Sequence, residues 1–482
     1  MTNSYQDTIV APATIPGTGA ISVIRVSGPK SLSIADSVIR LKSGKCSMKD
    51  GYTIHYGSIF NVDGTILDDI LVSVFRAPHS YTGEDSIEIS CHASSYIAQE
   101  IVTMLLAAGA RMAEPGEFTR RAFLNGKMDL AQAEAVADVI SSTTSASHRI
   151  SMNQLKGGFS NELTILRNEL LDMASLLELE LDFSEEEVEF ASRSRLLDLL
   201  EQSKKHVDKL ASSFRLGNII KNGVPVAIVG AVNAGKSTLL NALLGEERAI
   251  VSPVEGTTRD TIEETLNLGG ILFRFIDTAG IRDTSELVEK MGIDRTFQKI
   301  SQAQIVLAVI DSTAPEEDLK ERISEILGHV NLSEQQLIFV LNKCDLLDEN
   351  ALNKKVTAAN KFVSSLNNKV DIINLSAKEQ KGVEELCNML EKSQTSLLQQ
   401  SSGNAVFVTN IRHFEALTKA SSALGNARTS LLSGIPSDLV AEDLRTALAS
   451  VNLILGTDLL SGQTIDPETI LHHIFQNHCV GK

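Results

Sequence analysis

The residues with the plainest chemical purpose lie between Gly230 and Ser237, where the chain reads G-x-x-x-x-G-K-S. Glycines let the backbone curl until its N–H groups converge on phosphate oxygens. Lys236 adds a point charge at the β/γ-phosphates, and the Ser237 hydroxyl suits Mg2+. Asn233, Ala234, Gly235 and Thr238 complete the stretch expected to face the nucleotide. The six residues from Val224 to Val229 form an unbroken apolar run, as in a strand buried on both faces. A helix is expected from Ser237, and its N-terminus adds positive potential at the phosphates.

Three later stretches fix the nucleotide class. Residues 272–276 read as a strand that ends in Asp277-Thr278-Ala279-Gly280, a Walker-B aspartate followed by a γ-phosphate-sensing glycine. Residues 336–341 read as another strand, leading into Asn342-Lys343-Cys344-Asp345. A carboxylate at Asp345 accepts both N–H donors on the guanine edge, a pair that adenine lacks. Residues 372–375 then lead into Ser376-Ala377-Lys378, whose backbone can meet the guanine oxygen. Each motif alone is weak. In this order, each at a strand end, they imply a GTPase, because ligands of open α/β sheets sit at the carboxyl ends of strands. Ile281 stands where a water-positioning Gln would follow Gly280, and it cannot orient water. Arg259 and Arg282 are the arginines that could serve as a finger.

These elements need a large chain around them. With 482 residues, two to four domains are expected. Net charge is -17 and pI ≈ 5.1, which argues against gripping nucleic acid by bulk electrostatics. An RNA partner would need a local basic patch or a second subunit. None of the five cysteines forms C-x-x-C, so neither a zinc ribbon nor a disulfide framework is indicated, and a reducing cytosol fits. The N-terminus lacks a basic segment followed by an apolar core, and no apolar run is long enough to span a bilayer. A soluble, cytoplasmic protein is expected.

Residues 1–124 read as an α+β domain. Strands are expected at 20–26, 70–75 and 87–91, with a hairpin turn at Asp63-Gly64. Helical spacing links Leu32, Ala35, Val38 and Ile39, and another helix covers 96–106. Residues 80–85 and 115–127 read, by themselves, as ordinary solvated loops. Residues 125–222 carry bundle-like faces: Leu163, Leu166, Leu170, Met173 and Leu177, then Leu196, Leu200, Ser203, Val207, Leu210 and Phe214. The GTPase domain is expected at 223–396, and helical spacing resumes over 397–482. We read one helical domain split by an inserted α/β P-loop GTPase domain. Asp466-Pro467-Glu468 looks like a helix start. The three histidines near Cys479 read as a plain helix end rather than a metal site.

A family carries more of the chain than these motifs do. The chain resembles the MnmE (TrmE) family of bacterial tRNA-modification GTPases over essentially its full length. The matching stretches include Tyr81-Thr-Gly-Glu-Asp85, Pro115-Gly-Glu-Phe118, Ala122-Phe-Leu-Asn125, Asp129-Leu-Ala-Gln-Ala-Glu134, Gly256-Thr-Thr-Arg-Asp260 and the terminal Cys479-Val-Gly-Lys482. The resemblance implies a folate-binding N-terminal domain that also mediates homodimerisation. By motif, Arg25, Glu84, Lys127 and Lys482 match the contacts to a 5-formyl- or methylene-tetrahydrofolate. It also implies the FAD-containing MnmG protein as partner in a heterotetramer that holds tRNA mainly through the complex. Together they install an aminomethyl or carboxymethylaminomethyl group on C5 of the wobble uridine. FAD belongs to that partner, since no G-x-G-x-x-G fingerprint is present here.

For hydrolysis the resemblance implies Glu289, acting on water through a bridging water, beside Lys236. A K+ ion would replace the arginine finger, held by Asn233, Ser252, Val254 and Thr257. Thr258 with Ser237 would complete the Mg2+ site, and Pro253, Glu255 and Gly256 the nucleotide-facing segment. Cys479 is either a reactive thiol or a packing anchor. The chain departs from the family at His478, where Phe is usual, at Ala231-Val232 in place of Arg-Pro, and at Ile15. The GTPase motifs alone would also suit a regulatory switch without RNA chemistry, and the N-terminal domain a folate sensor.

Overall fold

The computed structural model describes residues 7–61, 63–182, 193–245, 264–276, 300–365, 370–400 and 406–457. Two compact units interleave along the chain. One takes 1–140, 152–209 and 415–482; the other takes 141–151 and 210–414.

The first unit contains a seven-stranded sheet. Its strands are β1 (Ile9–Pro12), β2 (Ile21–Ser27), β3 (Ile39–Leu41), β4 (Thr53–Phe60), β5 (Ile66–Phe75), β6 (Ser86–His92) and β7 (Arg111–Met112). Their order is β3-β4-β5-β6-β2-β1-β7. The β1–β7 pair is parallel and the others antiparallel. Ile70, Val72 and Val74 of β5 are buried on one face, with Leu71 exposed between them. Helices Ser31–Val38 and Ser95–Ala107 close that core with Leu32, Ile34, Ala35, Ile101 and Leu105. Ile39, expected on the helix, instead opens β3 opposite Ile59, where a β-branched side chain packs well. β5 begins at Ile66, four residues before the expected start.

Helices fill the rest of this unit: most of Leu130–Ser141, Gly158–Asp182, most of Arg193–Ser212 and of Ile411–Leu432, and Ser437–Leu455. The expected faces are the buried ones, with Leu163, Leu166, Leu170 and Met173 at 0% exposure. Segments from before and after residues 210–414 meet here. Arg167 Nε donates to Asn452 Oδ1 at 2.9 Å, and Arg428 pairs with Glu201 at 2.8 Å.

The second unit holds a six-stranded sheet of β8 (Val224–Gly230), β9 (Glu264–Leu268), β10 (Ile271–Phe275), β11 (Ile305–Asp311), β12 (Gln336–Asn342) and β13 (Asp371–Asn374). The order is β13-β12-β11-β8-β10-β9, parallel except for β9–β10. Val226 and Ile228 enter one core and Ala227 and Val229 the core on the other face, so the strand is apolar at every position. The chain leaves β8 toward β10 and later returns to its other side through β11. That reversal makes the carboxyl end of β8 a topological switch point, where such sheets bind ligands. Residues 210–222, expected with the helical domain, pack instead with this unit, and Ile219 joins its core. Gly217 allows this: an added Cβ would lie 2.2 Å from the Val408 carbonyl oxygen. No helix among the described residues is long and apolar enough to cross a membrane.

Candidate functional sites

At the switch point, β8 ends on Gly230, whose φ is 152°. A Cβ there would sit 2.2 Å from the carbonyl oxygen of Val309 on β11, so only glycine lets the loop begin. Asn233 and Gly235 both have positive φ, 62° and 97°, which turns the loop back on itself. Lys236 opens the helix Lys236–Leu244, one residue earlier than expected. Its Nζ donates to the carbonyls of Gly230 (3.0 Å) and Ala231 (2.8 Å). Ser237 and Thr238 follow on the first turn.

The base side is built from the ends of β12 and β13. Asn342 is 3% exposed. Its Nδ2 donates to the Ala234 carbonyl at 2.9 Å, and its Oδ1 accepts from the Ala377 N–H at 3.0 Å. One side chain thus braces the phosphate loop against the Ser376-Ala377-Lys378 turn. That turn is closed by the Ser376 and Lys381 backbones, which bond to each other at 2.9 and 3.1 Å. Asp345 Oδ1 is buried with no hydrogen-bond partner among the described residues. Leaving a buried acceptor unmet costs about 1–3 kcal/mol, which the paired N–H groups of a guanine edge would relieve. The glycine cradle and this orphaned oxygen fit GTP. Asp311 belongs to none of these motifs, yet its carboxylate meets Lys343 Nζ at 2.6 Å.

Ser252, Pro253, Val254, Glu255, Gly256, Thr257, Thr258, Arg259, Asp277, Thr278, Ala279, Gly280, Ile281, Arg282 and Glu289 lie outside the described residues. So do Asp466, His478, Cys479 and Lys482.

In the first unit, Arg25, Glu84 and Lys127 all touch the loop between β5 and β6. The Arg25 guanidinium lies 5.2 Å from the Tyr81 ring centre and 5.7 Å from that of Phe118, and pairs with Glu88 at 2.8 Å. Lys127 Nζ donates to the Pro78 carbonyl at 2.9 Å. Glu84 accepts from Ser27 Oγ at 2.8 Å and from Arg121 Nη1 at 3.2 Å.

Arg121 overturns the expectation of a solvated loop at 115–127. That stretch contains the helix Glu117–Leu124, in which Glu117, Phe118, Thr119 and Arg121 are buried. The 80–85 loop is likewise packed inward at Thr82, which is 1% exposed. Arg121 Nη2 donates to Glu117 Oε1 at 2.9 Å and to Asp7 Oδ1 at 2.8 Å. Arg111 bonds the same two carboxylates at 2.6 and 2.8 Å. Burial pushes the Glu117 pKa up, but hydrogen bonds from Arg111, Arg121 and the Glu114 N–H outweigh it and hold the carboxyl below its ordinary range. The same balance lowers Asp7. The i,i+4 spacing of Glu117 and Arg121 was the one local signal of this cluster. Burial pushes the thiols of Cys46 and Cys91 up to about 11, so both are packing groups rather than nucleophiles.

Two family models match the chain. One, described as "GTP-binding protein TrmE N-terminus", matches residues 8–127, and one described as "MnmE helical domain" matches 130–479. A tRNA modification GTPase MnmE of Bacteroides thetaiotaomicron is 49% identical over 479 residues, covering 99% of this chain and 100% of that one. A protein of the same name from Flavobacterium johnsoniae is 50% identical over 480 residues, covering 99% of each chain. Since the match runs the length of both chains and the two family models together span residues 8–479, the chain belongs to the MnmE (TrmE) family.

Proposed function

We propose that this protein is a GTP-hydrolysing tRNA-modification enzyme, acting on C5 of the wobble uridine. The observation that carries the reading is full-length identity of 49% to a relative named tRNA modification GTPase MnmE. The geometry of the nucleotide site supports its GTPase half. Asp345 reads the guanine edge, Asn342 holds the two loops that enclose the nucleotide, and Lys236 neutralises phosphate charge. Ser237, with Thr258, would hold Mg2+, which clamps the phosphate oxygens when bound. Asn233, Ser252, Val254 and Thr257 would hold a K+ ion in place of an arginine finger, and Glu289 would orient the attacking water.

The chemistry around the β5–β6 loop suits a tetrahydrofolate derivative, which supplies the one-carbon unit. The carboxylate of Glu84 can accept from pterin N–H donors, the half-buried Tyr81 ring gives an apolar face, and Arg25 and Lys127, joined by Lys482 as the resemblance implies, would offer cations to its carboxylates. The homodimer, the FAD-bearing MnmG partner and a cytoplasmic location belong to the same reading. An acidic chain of net charge -17 can leave much of the tRNA grip to that partner.

The test is nucleoside analysis of tRNA from a deletion strain, complemented with wild type or Asp345→Asn. Wild type restores the C5 modification and the variant does not, while purified Asp345→Asn loses GTP affinity and gains affinity for xanthosine triphosphate. Unchanged tRNA in the deletion strain would leave a regulatory GTPase as the better reading.

A further inference from the structure

β11 ends in a tight polar turn that none of the nucleotide motifs includes. Asp311 Oδ1 accepts from the Thr313 N–H at 2.8 Å and from the Thr313 hydroxyl at 2.6 Å. Its other oxygen, Oδ2, lies 2.6 Å from Lys343 Nζ. The Ser312 N–H donates to the Asn342 carbonyl at 2.9 Å, and Lys355 Nζ caps the Ala314 carbonyl. The turn is therefore rigid and tied to the brace residue itself.

Lys343 is held just as firmly. Its φ is 65°, a left-handed conformation that a residue with a Cβ adopts only when its surroundings impose it. The next residue anchors it from one side, the Cys344 N–H donating to the Leu375 carbonyl at 3.2 Å. Asp311 anchors it from the other. The four-carbon stem between these anchors is an apolar strip two residues before the orphaned acceptor of Asp345.

We propose that Asp311 is a positioning residue for guanine recognition: it pins the Lys343 ammonium so that the lysine stem forms a preformed wall for the base. The proposal rests on the GTP reading of the site. Preorganisation adds affinity because the rotamers of a long side chain are fixed before the ligand arrives. It acts on any guanine nucleotide alike, and not on the phosphate chemistry. Burial pushes the Asp311 pKa up, and the hydrogen bonds from Lys343 and Thr313 more than offset this, so the carboxylate is held charged. The pair is partly exposed, at 31% for Lys343 and 27% for Asp311, so its effect is modest.

A double-mutant cycle on the full-length protein tests this, with Asp311→Asn, Lys343→Met and the double variant titrated with GTP and GDP. Asp311→Asn should raise both dissociation constants by the same factor, about three- to tenfold. It should raise KM for GTP and leave kcat at saturation unchanged. The double variant should bind no more weakly than the weaker single one, and Asp311→Glu should recover part of the affinity. Thermal unfolding of each variant separates loss of fold from loss of binding. Multiplying single effects, or a fall in kcat at unchanged affinity, overturns the proposal while leaving the GTPase intact. A wild-type protein with no preference for guanine nucleotides overturns the functional reading, and this proposal with it.

Discussion

Glu117 and Arg121 meet at 2.9 Å one helical turn apart, and neither side chain is exposed to solvent. Charges so placed are stable only as a set, because each was taken out of water. The set here is Asp7, Glu84, Arg111, Glu117 and Arg121, and it fastens the chain before β1 to the loop that carries Glu84.

Removing Glu117 takes from the fully buried Arg121 its one fully buried carboxylate and leaves it to Asp7 and Glu84. Glu117→Gln should destabilise the first unit by roughly 3 kcal/mol. Thermal or urea unfolding of the full-length protein measures this, with GTP binding by the second unit as the control. A shift within experimental scatter would show that solvent reaches the cluster.

The same cluster sets an acid limit. Glu117 and Asp7 have folded pKa values below their ordinary 4.5 and 3.8. Carboxylates of this kind stabilise the fold above those ordinary values, and the contribution is lost as pH falls through the lower folded values. Stability should therefore decline below about pH 4.5, and Glu117→Gln should flatten part of that decline. Unfolding midpoints taken across the acid range in both proteins give the comparison.

Asn342→Ala removes both braces at once. It leaves the Ala234 carbonyl and the Ala377 N–H without their side-chain partner. Loss of two buried hydrogen bonds predicts about 10- to 100-fold weaker binding of GTP and GDP. Titration with a fluorescent guanine nucleotide reads it directly. Affinity equal to wild type would mean the two loops hold their places without the amide.

Hydrolysis should respond to potassium. Asn233 sits in the phosphate loop with φ 62°, and its side-chain carbonyl is a ligand suited to a monovalent cation. GTP turnover should be faster in K+ than in Na+ at equal ionic strength, and Asn233→Ala should abolish the difference. Equal rates in the two salts would return Arg259 or Arg282 to consideration as fingers.

The parts of this protein legible in its sequence are those built from neighbours along the chain. The phosphate loop spans eight consecutive residues, and its turns at Gly230 and Gly235 need positive φ, which glycine supplies by itself. The helix faces repeat at 3.6 residues, so Leu163 to Leu177 declare their burial unaided. β8 is apolar throughout because both its faces are covered. Other features arise only when distant segments meet. Four-residue β1 shows no period of its own, and it is buried because β2 and β7 flank it. Arg121 looks like a surface residue until Asp7, 114 positions away, comes to meet it. Asp311 acquires its lysine only because β11 and β12 lie side by side with their ends in register, Asp311 opposite Asn342. Spacing along a chain encodes the backbone's own periodicities, whereas pairing across it depends on which strands the topology makes neighbours.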